Sequence, residues 1–363
     1  MPGVLPVLGL MTTVALPTVS IVIPTLNSAP NLAACLRAIR SQDYPMHLIE
    51  ILVMDGGSTD ATASVAQKYG VFFIRRADRP YWVLNAEARM GLGVTMAKGD
   101  IVAFIMSDNF LPTADWLRTM VRPFQENPAI VLTQTLHYAY DRSLALLDRY
   151  AALMGVSDPV AYYLDKRDRM SQTEDTWRVA GEVCDRGWYL EVRLRPDGLP
   201  PMGCNGALFR RDILKYAQCG PELFRHSDVV ADLVRQGYDS VGIVRNDIIH
   251  ANGDTFVRAM KKRLAYFRSL RPTNEAPRRY LLFDAHNGRD VRRLLLFVFY
   301  SLTLIKPTWD ACAGYLKIRD SAWFMNPVLC MSMTIAYGLI SMFEIARRTL
   351  GRLRVTMSES VAL

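Results

Sequence analysis

Two aspartates stand where a run of apolar residues ends, and a carboxylate in that position can hold a cation or a polar ligand. The run 101–106 leads into Ser107, Asp108 and Asn109, and the run 49–54 leads into Asp55. Such runs predict strands buried on both faces, and buried strands of α/β sheets present reactive groups at their carboxyl ends. Asp108 would suit a hard divalent cation that binds phosphate oxygens. The alternative is that Asp108 caps a helix or belongs to a turn.

Glycine and hydroxyl residues follow Asp55 directly, in the order Gly56, Gly57, Ser58 and Thr59. Glycines permit a tight turn, and Ser58 or Thr59 can cap the helix that comes next. This composition predicts a compact turn at the tip of the second strand.

The elements that would position these residues alternate along the first third of the chain. Apolar runs predict strands at 19–23, 49–54, 71–74 and 101–106, and helical spacing predicts helices at 31–40 and 85–96. This alternation favours a parallel sheet covered on both faces. The sequence contains neither Gly-x-Gly-x-x-Gly after the first strand nor Gly-x-x-x-x-Gly-Lys-Ser/Thr, the phosphate loops of other nucleotide-binding classes.

The order of these motifs resembles the family 2 glycosyltransferases. The resemblance rests on Ile-Val-Ile-Pro-Thr-Leu-Asn at 21–27, Asp-Gly-Gly-Ser-Thr-Asp at 55–60, Ala-Lys-Gly-Asp at 97–100 and Ser-Asp-Asn at 107–109. It covers residues 19–135, with a weaker match to about 265. It implies an α/β chain with the GT-A fold, a Rossmann-like and mostly parallel sheet with helices on both faces. It also implies an enzyme that takes a sugar from a UDP-, GDP- or dTDP-sugar.

The resemblance implies a donor site made of residues from the strand tips. Asp55 would bind the nucleotide base, since a carboxylate accepts hydrogen bonds from ring N–H groups, and Arg89 would approach the phosphates. The full set of donor-binding residues is Pro24, Thr25, Asn27, Asp55, Gly56, Ser58, Arg89, Ser107 and Asp108.

The resemblance also implies Mg²⁺ or Mn²⁺ at Asp108, with Asn109 and His250 as further contacts. The family usually carries Asp-x-Asp, whereas Met106 occupies the first acidic position here. The cation would then depend on one carboxylate, helped by Asn109, water and substrate oxygens. Weak metal binding or metal-free action is the alternative. His250 follows an apolar run, and the alternative for it is a structural histidine.

Two further segments resemble the acceptor half of the family. Its acceptor-binding residues would be Gly203, Cys204, Asn205 and Gly206, where paired glycines let a ligand approach the backbone. Asp228 matches the family's general base, which takes the proton of the acceptor hydroxyl, and His226 is the rival. The alternative is a capping aspartate beside a surface histidine.

A basic amphipathic helix is predicted after residue 254. Phe256, Met260, Leu264 and Phe267 share one face, and basic residues occupy most of the remainder. This pattern is typical of a membrane-surface element, and Lys262 and Arg263 would reach the donor's phosphates. A solvated helix packed on the domain is the alternative.

The composition also favours contact with lipid. Half of the 363 residues are hydrophobic and the formal net charge is +8, which fits anionic headgroups. The apolar run 294–305 is too short to cross a hydrocarbon core of about 30 Å, and the longer run 322–343 precedes an arginine-rich tail. Nucleotide sugars are cytoplasmic, so the catalytic domain should be cytoplasmic, and the arginine-rich tail prefers the same side. A single crossing would separate the two, so we expect peripheral or re-entrant attachment at the cytoplasmic face of the inner membrane. Basic charge follows apolar helices rather than clustering with aromatic residues, so no nucleic-acid partner is expected.

The predicted division of the chain has four parts. An apolar arm (1–18) precedes a GT-A domain (19–253) with a donor half (19–135) and an acceptor half (136–253). The basic helix (254–275) and membrane-associated helices (276–363) follow. Six scattered cysteines without a Cys-x-x-Cys pair suggest neither a zinc site nor a disulfide framework.

The predicted activity is metal-assisted, inverting sugar transfer to a lipid-linked or glycan acceptor. One alternative is a catalytically degenerate membrane scaffold that binds glycan or nucleotide, suggested by the missing first acid of the metal motif. Another is a nucleotidyltransferase of similar fold, although the glycine-rich basic loop expected after the first strand is missing from the sequence.

Overall fold

The computed structural model describes residues 15–78, 80–269 and 278–342. Most of the predicted N-terminal arm (1–14), the junction 270–277 and the C-terminal residues 343–363 lie outside the described residues.

The predicted alternation of strands and helices is present in the first half. Its strands are β1 (Val19–Thr25), β2 (Ile49–Asp55), β3 (Phe72–Arg75), β4 (Ile101–Phe104) and β5 (Asn109–Phe110). Its helices are α1 (Ala29–Arg40), α2 (Thr62–Lys68), α3 (Pro80–Leu84), α4 (Ala86–Met96) and α5 (Trp116–Glu126). The strand predicted to reach Met106 ends at Phe104, because Met106 enters a turn in which its N–H donates to Asn109 Oδ1 at 3.0 Å.

The second half adds shorter strands and a second set of helices. Its strands are β6 (Leu132–Tyr138), β7 (Glu182–Asp185), β8 (Tyr189–Arg193), β9 (Ala207–Arg210) and β10 (Ser240–His250). Its helices are α6 (Leu146–Met154), α7 (Pro159–Tyr163), α8 (His226–Arg235) and α9 (Phe256–Ser269). The predicted basic helix is therefore present as α9.

Strands from both halves form one mixed sheet in the order β3-β2-β1-β4-β9-β6-β10-β8-β7, with β5 paired to β10. The first four strands are parallel, so the ends of β1, β2 and β4 meet at one edge. Thr25 is the register partner of Asp55 at that edge. Strand β9 is antiparallel to both of its neighbours, whereas β10 runs parallel to β6.

Apolar side chains cover both faces of the sheet. Val22 and Phe104 pack with α4 and α8 on one face, and Ile21 and Ile23 pack with α1 and α5 on the other. Because period-two alternation sends side chains to opposite faces, strands with apolar residues at every position require both layers. The residues at the strand tips are therefore held by strands that are packed on both faces.

Three further helices follow α9 along the chain: α10 (Gly288–Thr303), α11 (Ile305–Lys317) and α12 (Ser321–Met342), the last beginning with a 3₁₀ turn. Polar side chains join them to α6, α7 and the adjoining loops. The pairs are Tyr140–Asp320 at 2.7 Å, Tyr150–Asn326 at 3.2 Å, Tyr163–Asp310 at 3.0 Å and Lys166–Asp290 at 2.6 Å. The C-terminal helices therefore pack directly on the acceptor half.

Among the described helices, α12 alone is long and apolar enough to cross a membrane, by length and composition. Helices α10 and α11 meet that criterion only as a pair, and they are bent by 80°. Leu304, at the bend, has a φ of 58°. Exposed apolar side chains line this part of the chain, namely Leu295, Phe299, Leu302, Ile305, Trp309, Leu316, Ile335, Leu339 and Met342.

Candidate active site

Asp55 organises the turn that follows β2. Its carboxylate is fully buried and accepts hydrogen bonds from Gly57 N–H, from the N–H and hydroxyl of Ser58, and from Arg75 Nε at 3.0 Å. Gly57 adopts a φ of 97°, a conformation that favours glycine. The predicted donor residues Asp55, Gly56 and Ser58 are therefore together in one turn. Arg75 was not predicted from the sequence.

The Pro24–Asn27 segment lies beside that turn. Asn27 N–H donates to Ser58 Oγ at 2.8 Å, and Asn27 Oδ1 accepts from Thr59 N–H at 2.8 Å. Pro24 and Thr25 are buried, and the Thr25 hydroxyl has no hydrogen-bond partner within the part of the chain described. The two predicted donor segments thus form one continuous surface at the sheet edge.

Arg89 lies behind the same turn. Its Nη1 donates to the carbonyls of Trp82 and Val83, and a Cβ on Gly56 would come within 2.7 Å of that nitrogen. Burial lowers the pKa of Arg89 to about 10, with Asp55 opposing the shift. A side chain at position 56 would therefore have to displace the Arg89 guanidinium.

The Asp108 turn connects β4 to the short strand β5, which pairs with β10. Asn109 and His250 are register partners across the antiparallel β5–β10 pair, and Asp108 Oδ2 lies 3.8 Å from His250 Nε2. Asn109 is buried, and its Oδ1 is occupied by Met106 N–H. The Asp108 carboxylate therefore faces the His250 ring, whose Nε2 also lies at hydrogen-bond distance, 3.0 Å, from Asn252 Nδ2, whereas the amide oxygen of Asn109 points into the turn. Ser107 is also buried.

The donor set at this turn fits a divalent cation that takes most of its ligands from substrate and water. Two side chains, Asp108 and His250, approach each other closely enough to share one ion. Within residues 15–78, 80–269 and 278–342, no group of three or more His, Cys, Asp or Glu side chains could hold a metal ion. Oxygen ligands suit Mg²⁺ and Mn²⁺.

A cleft of about 420 Å³ opens beside Asp108. Its polar lining comes from Asp108, Asp148, Asn205, His250, Asn252 and Asp254, and its basic lining from Lys262 and Arg263 of α9. Its apolar lining comes from Met106, Leu147, Ala151, Leu329 and Met333. The cleft therefore joins the predicted metal position to an apolar wall made by α6 and α12.

Two aspartates of this cleft were not predicted from the sequence. Asp148 accepts from the N–H groups of Asn252 and Gly253, at 3.2 and 2.9 Å, and burial raises its pKa. Asp254 accepts from Lys262 Nζ at 2.6 Å. Both fix the segment after β10, and Asp254 holds Lys262 at the rim. Neither follows a strand, so neither carries the signal that identified Asp108.

The Gly203–Gly206 segment adjoins the cleft through Asn205. Asn205 has a φ of 51°, and its carbonyl accepts from Arg169 Nη2 at 2.8 Å. Gly206 N–H donates to the Phe104 carbonyl at 2.8 Å. The predicted acceptor segment therefore lies against the end of β4. Arg169, which is fully buried, was not predicted from the sequence.

The entrance of α8 holds the two predicted proton acceptors, in different environments. The Asp228 carboxylate is buried and accepts from Arg278 Nε, at 3.1 Å to each oxygen, and from Tyr280 N–H at 3.0 Å. His226 Nδ1 lies 3.2 Å from Glu87 Oε2 of α4. Glu87 was not predicted from the sequence, because it precedes its partner by 139 residues.

Comparison with known families gives one match covering more than half of the chain. Residues 20–216 match the family model described as Glycosyl transferase family 2. The match includes the turns at Asp55 and Asp108 and the Gly203–Gly206 segment, and it ends before α8.

Curated relatives match over shorter stretches. Glycosyltransferase AglE of Haloferax volcanii is 29% identical over 143 residues, which are 38% of this chain and 45% of AglE. A PGL/p-HBAD biosynthesis glycosyltransferase of Mycobacterium tuberculosis is 38% identical over 110 residues, 28% of this chain and 40% of the relative. The matched part thus spans less than half the length of these relatives.

A solved structure resembles nearly the whole chain. The mannosyltransferase PcManGT from Pyrobaculum calidifontis, in complex with GDP-Man and Mn²⁺, superposes with a TM-score of 0.50 and 15% identity, covering 91% of this chain and 88% of that chain. At this identity the likeness concerns the fold, and it confirms the predicted GT-A architecture.

Proposed function

We propose, from the premise that this chain belongs to glycosyltransferase family 2, that it transfers a sugar from a nucleotide diphosphate donor to a lipid-linked acceptor at a membrane surface. One observation carries the proposal. Asp108 and His250, at the edge of the sheet, open into the same cleft as the apolar wall of α6 and α12. A polar reaction centre and a hydrocarbon-compatible wall therefore share one cavity.

The donor's nucleotide would occupy the surface formed by the Pro24–Asn27 and Asp55–Ser58 segments. Its diphosphate would extend past Ser107 toward Asp108, where Lys262 and Arg263 line the cleft and supply positive charge. Asp55 is already saturated with hydrogen bonds, so its main contribution is to hold the turn in shape. Arg89 supports Gly56 from behind and, in this arrangement, acts on the donor through the turn.

A divalent cation, Mg²⁺ or Mn²⁺, would be held by Asp108 and His250, and Asn109 would position the turn that carries Asp108. When bound, the cation neutralises charge on the leaving diphosphate. The protein's own residues orient the two substrates and remove a proton from the acceptor. We propose a single displacement with inversion at the anomeric carbon.

The acceptor would approach along the apolar wall. Leu329 and Met333 line the cleft from α12, while Ile335, Leu339 and Met342 of the same helix are exposed. A lipid chain that left the bilayer beside α12 would meet the apolar side of the cleft into which Asp108 opens. A glycan acceptor would need polar partners along this wall, so the lining favours the lipid-linked acceptor.

Membrane attachment would use the exposed apolar side chains of α10, α11 and α12 together with the basic helix α9. Apolar side chains beside a basic surface are the features of proteins that bind anionic lipid surfaces. Because the donor is a cytoplasmic metabolite, attachment would be at the cytoplasmic face of the inner membrane.

A donor screen tests this function. The detergent-purified full chain is incubated with UDP-, GDP- and dTDP-sugars and a membrane lipid extract, with Mg²⁺, Mn²⁺ or chelator, and released nucleotide is measured. We expect release from one donor that depends on lipid extract and cation and is lost in Asp108→Ala. Asp197→Ala, an exposed loop aspartate, is the control. Nucleotide binding without release from any donor would instead support a catalytically inactive scaffold.

A further inference from the structure

Buried contacts on both oxygens fasten the Asp228 carboxylate to a neighbouring segment. Arg278 Nε binds both carboxylate oxygens, Arg279 Nη1 lies 3.8 Å from Oδ2, and Tyr280 N–H donates to Oδ1. Arg279 also binds Asp232, one turn further along α8, at 2.8 Å. The two consecutive arginines therefore fasten residues 278–280 to α8.

His226, two residues earlier, faces a carboxylate instead of guanidinium groups. Its backbone N–H donates to Glu87 Oε2 at 2.7 Å, and its Nδ1 lies 3.2 Å from the same oxygen. Both side chains are mostly buried, with 16% of His226 and 18% of Glu87 exposed. A carboxylate that orients one ring nitrogen leaves the other, Nε2, as the proton-accepting atom.

The pair bridges the two halves of the domain and lies behind the segment that carries Asn205 to the cleft. Glu87 belongs to α4 of the donor half, and His226 begins α8 of the acceptor half. A Cβ on Gly203 would lie 3.1 Å from the His226 carbonyl, and Asn205 lines the cleft two residues later. His226 therefore stands directly behind the segment assigned to acceptor binding.

We infer that His226 is the group that takes the acceptor's proton, that Glu87 positions it, and that Asp228 anchors residues 278–280. This inference rests on the proposed function. The acceptor oxygen bonds to the anomeric carbon as the bond to the donor's diphosphate breaks, and the hydroxyl proton moves to His226 Nε2. The nucleoside diphosphate leaves with the bonding electron pair, and the imidazolium stays beside the Glu87 carboxylate until it releases the proton to water.

The charged groups around His226 determine how the transfer rate changes with pH. Burial alone would lower the pKa of His226, but the facing Glu87 carboxylate raises it above the ordinary value. Arg278 opposes this effect and Asp168 adds to it. A base must be neutral to act, so the transfer rate should rise with pH through the His226 pKa. Neutralising Glu87 should move that rise to lower pH.

The test compares five variants, and it measures kcat as a function of pH and donor binding with the lipid extract and the donor that the screen identifies. We expect His226→Gln to lower kcat by about 100-fold or more while donor affinity stays unchanged. Glu87→Gln, which keeps an oxygen to accept the His226 N–H, should lower kcat on the order of tenfold and shift the rising limb to lower pH. Glu87→Asp should restore the wild-type limb. His47→Gln, an exposed histidine, is the matched control.

Two outcomes would overturn the inference while leaving the proposed function intact. One is transfer within about threefold of wild type in His226→Gln. The other is a pH profile of kcat whose rising part is unshifted in Glu87→Gln and disappears in Asp228→Asn. An NMR titration of the His226 ring in the wild type and in Glu87→Gln measures the pKa change without turnover. Absence of nucleotide release from every donor in the wild type would overturn both assignments together.

Discussion

Asn109 of β5 and His250 of β10 are direct partners across an antiparallel pair, and this pairing brings the Asp108 carboxylate within 3.8 Å of the His250 ring. The two strands are more than a hundred residues apart in sequence, yet a two-residue strand is enough to join them. The pairing places an imidazole beside the proposed metal position, in a motif that lacks the family's usual first acid.

Removing His250 should weaken the metal site. We expect His250→Ala to raise the Mn²⁺ concentration for half-maximal activity by about 10- to 100-fold, the range found when metal-site partners are lost. Manganese titrations of activity and Mn²⁺ binding by electron paramagnetic resonance measure this. His286→Ala removes an exposed histidine and is the control. Unchanged Mn²⁺ binding in His250→Ala would show that Asp108 binds the ion without it.

Narrowing the apolar wall should affect the acceptor and spare the donor. Ala151→Phe fills the cleft from α6, so we expect lipid-dependent transfer to fall at least about tenfold, because a chain that no longer fits loses its apolar contacts. Donor binding should be unchanged. Leu146→Phe, at an exposed position of the same helix, should behave like the wild type. Equal transfer in both variants would exclude this wall from the acceptor site.

The bend between α10 and α11 should enter a lipid surface. Trp309 is 69% exposed there, whereas Trp116 is fully buried and serves as an internal reference. With anionic vesicles, we expect quenching by brominated lipids in the wild type and its loss in Trp309→Phe. Ile305→Glu should reduce vesicle co-sedimentation, because a charge at the interface opposes insertion. Quenching that persists in Trp309→Phe would place the contact elsewhere.

Breaking the Arg278–Asp228 pair should destabilise the protein. Both side chains are at least nine-tenths buried, so Arg278→Ala leaves a buried carboxylate without its closest counter-charge, and we expect a loss of about 3–5 kcal/mol in the free energy of unfolding. Arg118→Ala removes an exposed partner of Asp43 and should cost less than about 1 kcal/mol. Urea denaturation measures both. Equal losses would contradict the anchoring role of Asp228.

The Glu87–His226 pair should stabilise the fold within a limited pH range. The pKa of Glu87 is lowered by His226 against the effect of burial, so its contribution is present above the ordinary value of 4.5 and declines as pH falls through the folded-state pKa. The pKa of His226 is raised, so its contribution is full below 6.5 and declines as pH rises through the folded-state pKa. The unfolding free-energy difference between wild type and Glu87→Gln should therefore peak between those limits. A difference independent of pH would contradict the ion pair.

Local sequence signals predicted the residues at the strand tips. They did not predict side-chain contacts between residues that are distant in sequence. Asp55 and Asp108 were found because an apolar run and a turn residue are adjacent in sequence. Arg75 was missed because nothing near it marks it as the partner of Asp55, and Glu87 was missed because its partner His226 lies in the other half. The environment of Asp228 could not be predicted either, because its guanidinium partners come from a segment beyond the basic helix.

The polar pairs between the acceptor half and the C-terminal helices would fix the orientation of the proposed membrane surface relative to the cleft. Lys166–Asp290 and Tyr163–Asp310 hold α10 and α11, and Tyr150–Asn326 holds α12, so the exposed apolar side chains of these helices and the cleft belong to one packed unit. If these helices rest on a bilayer, as proposed, the reaction centre stands at a set height above the headgroups. The enzyme would then select acceptors by how far their reactive group projects from the membrane.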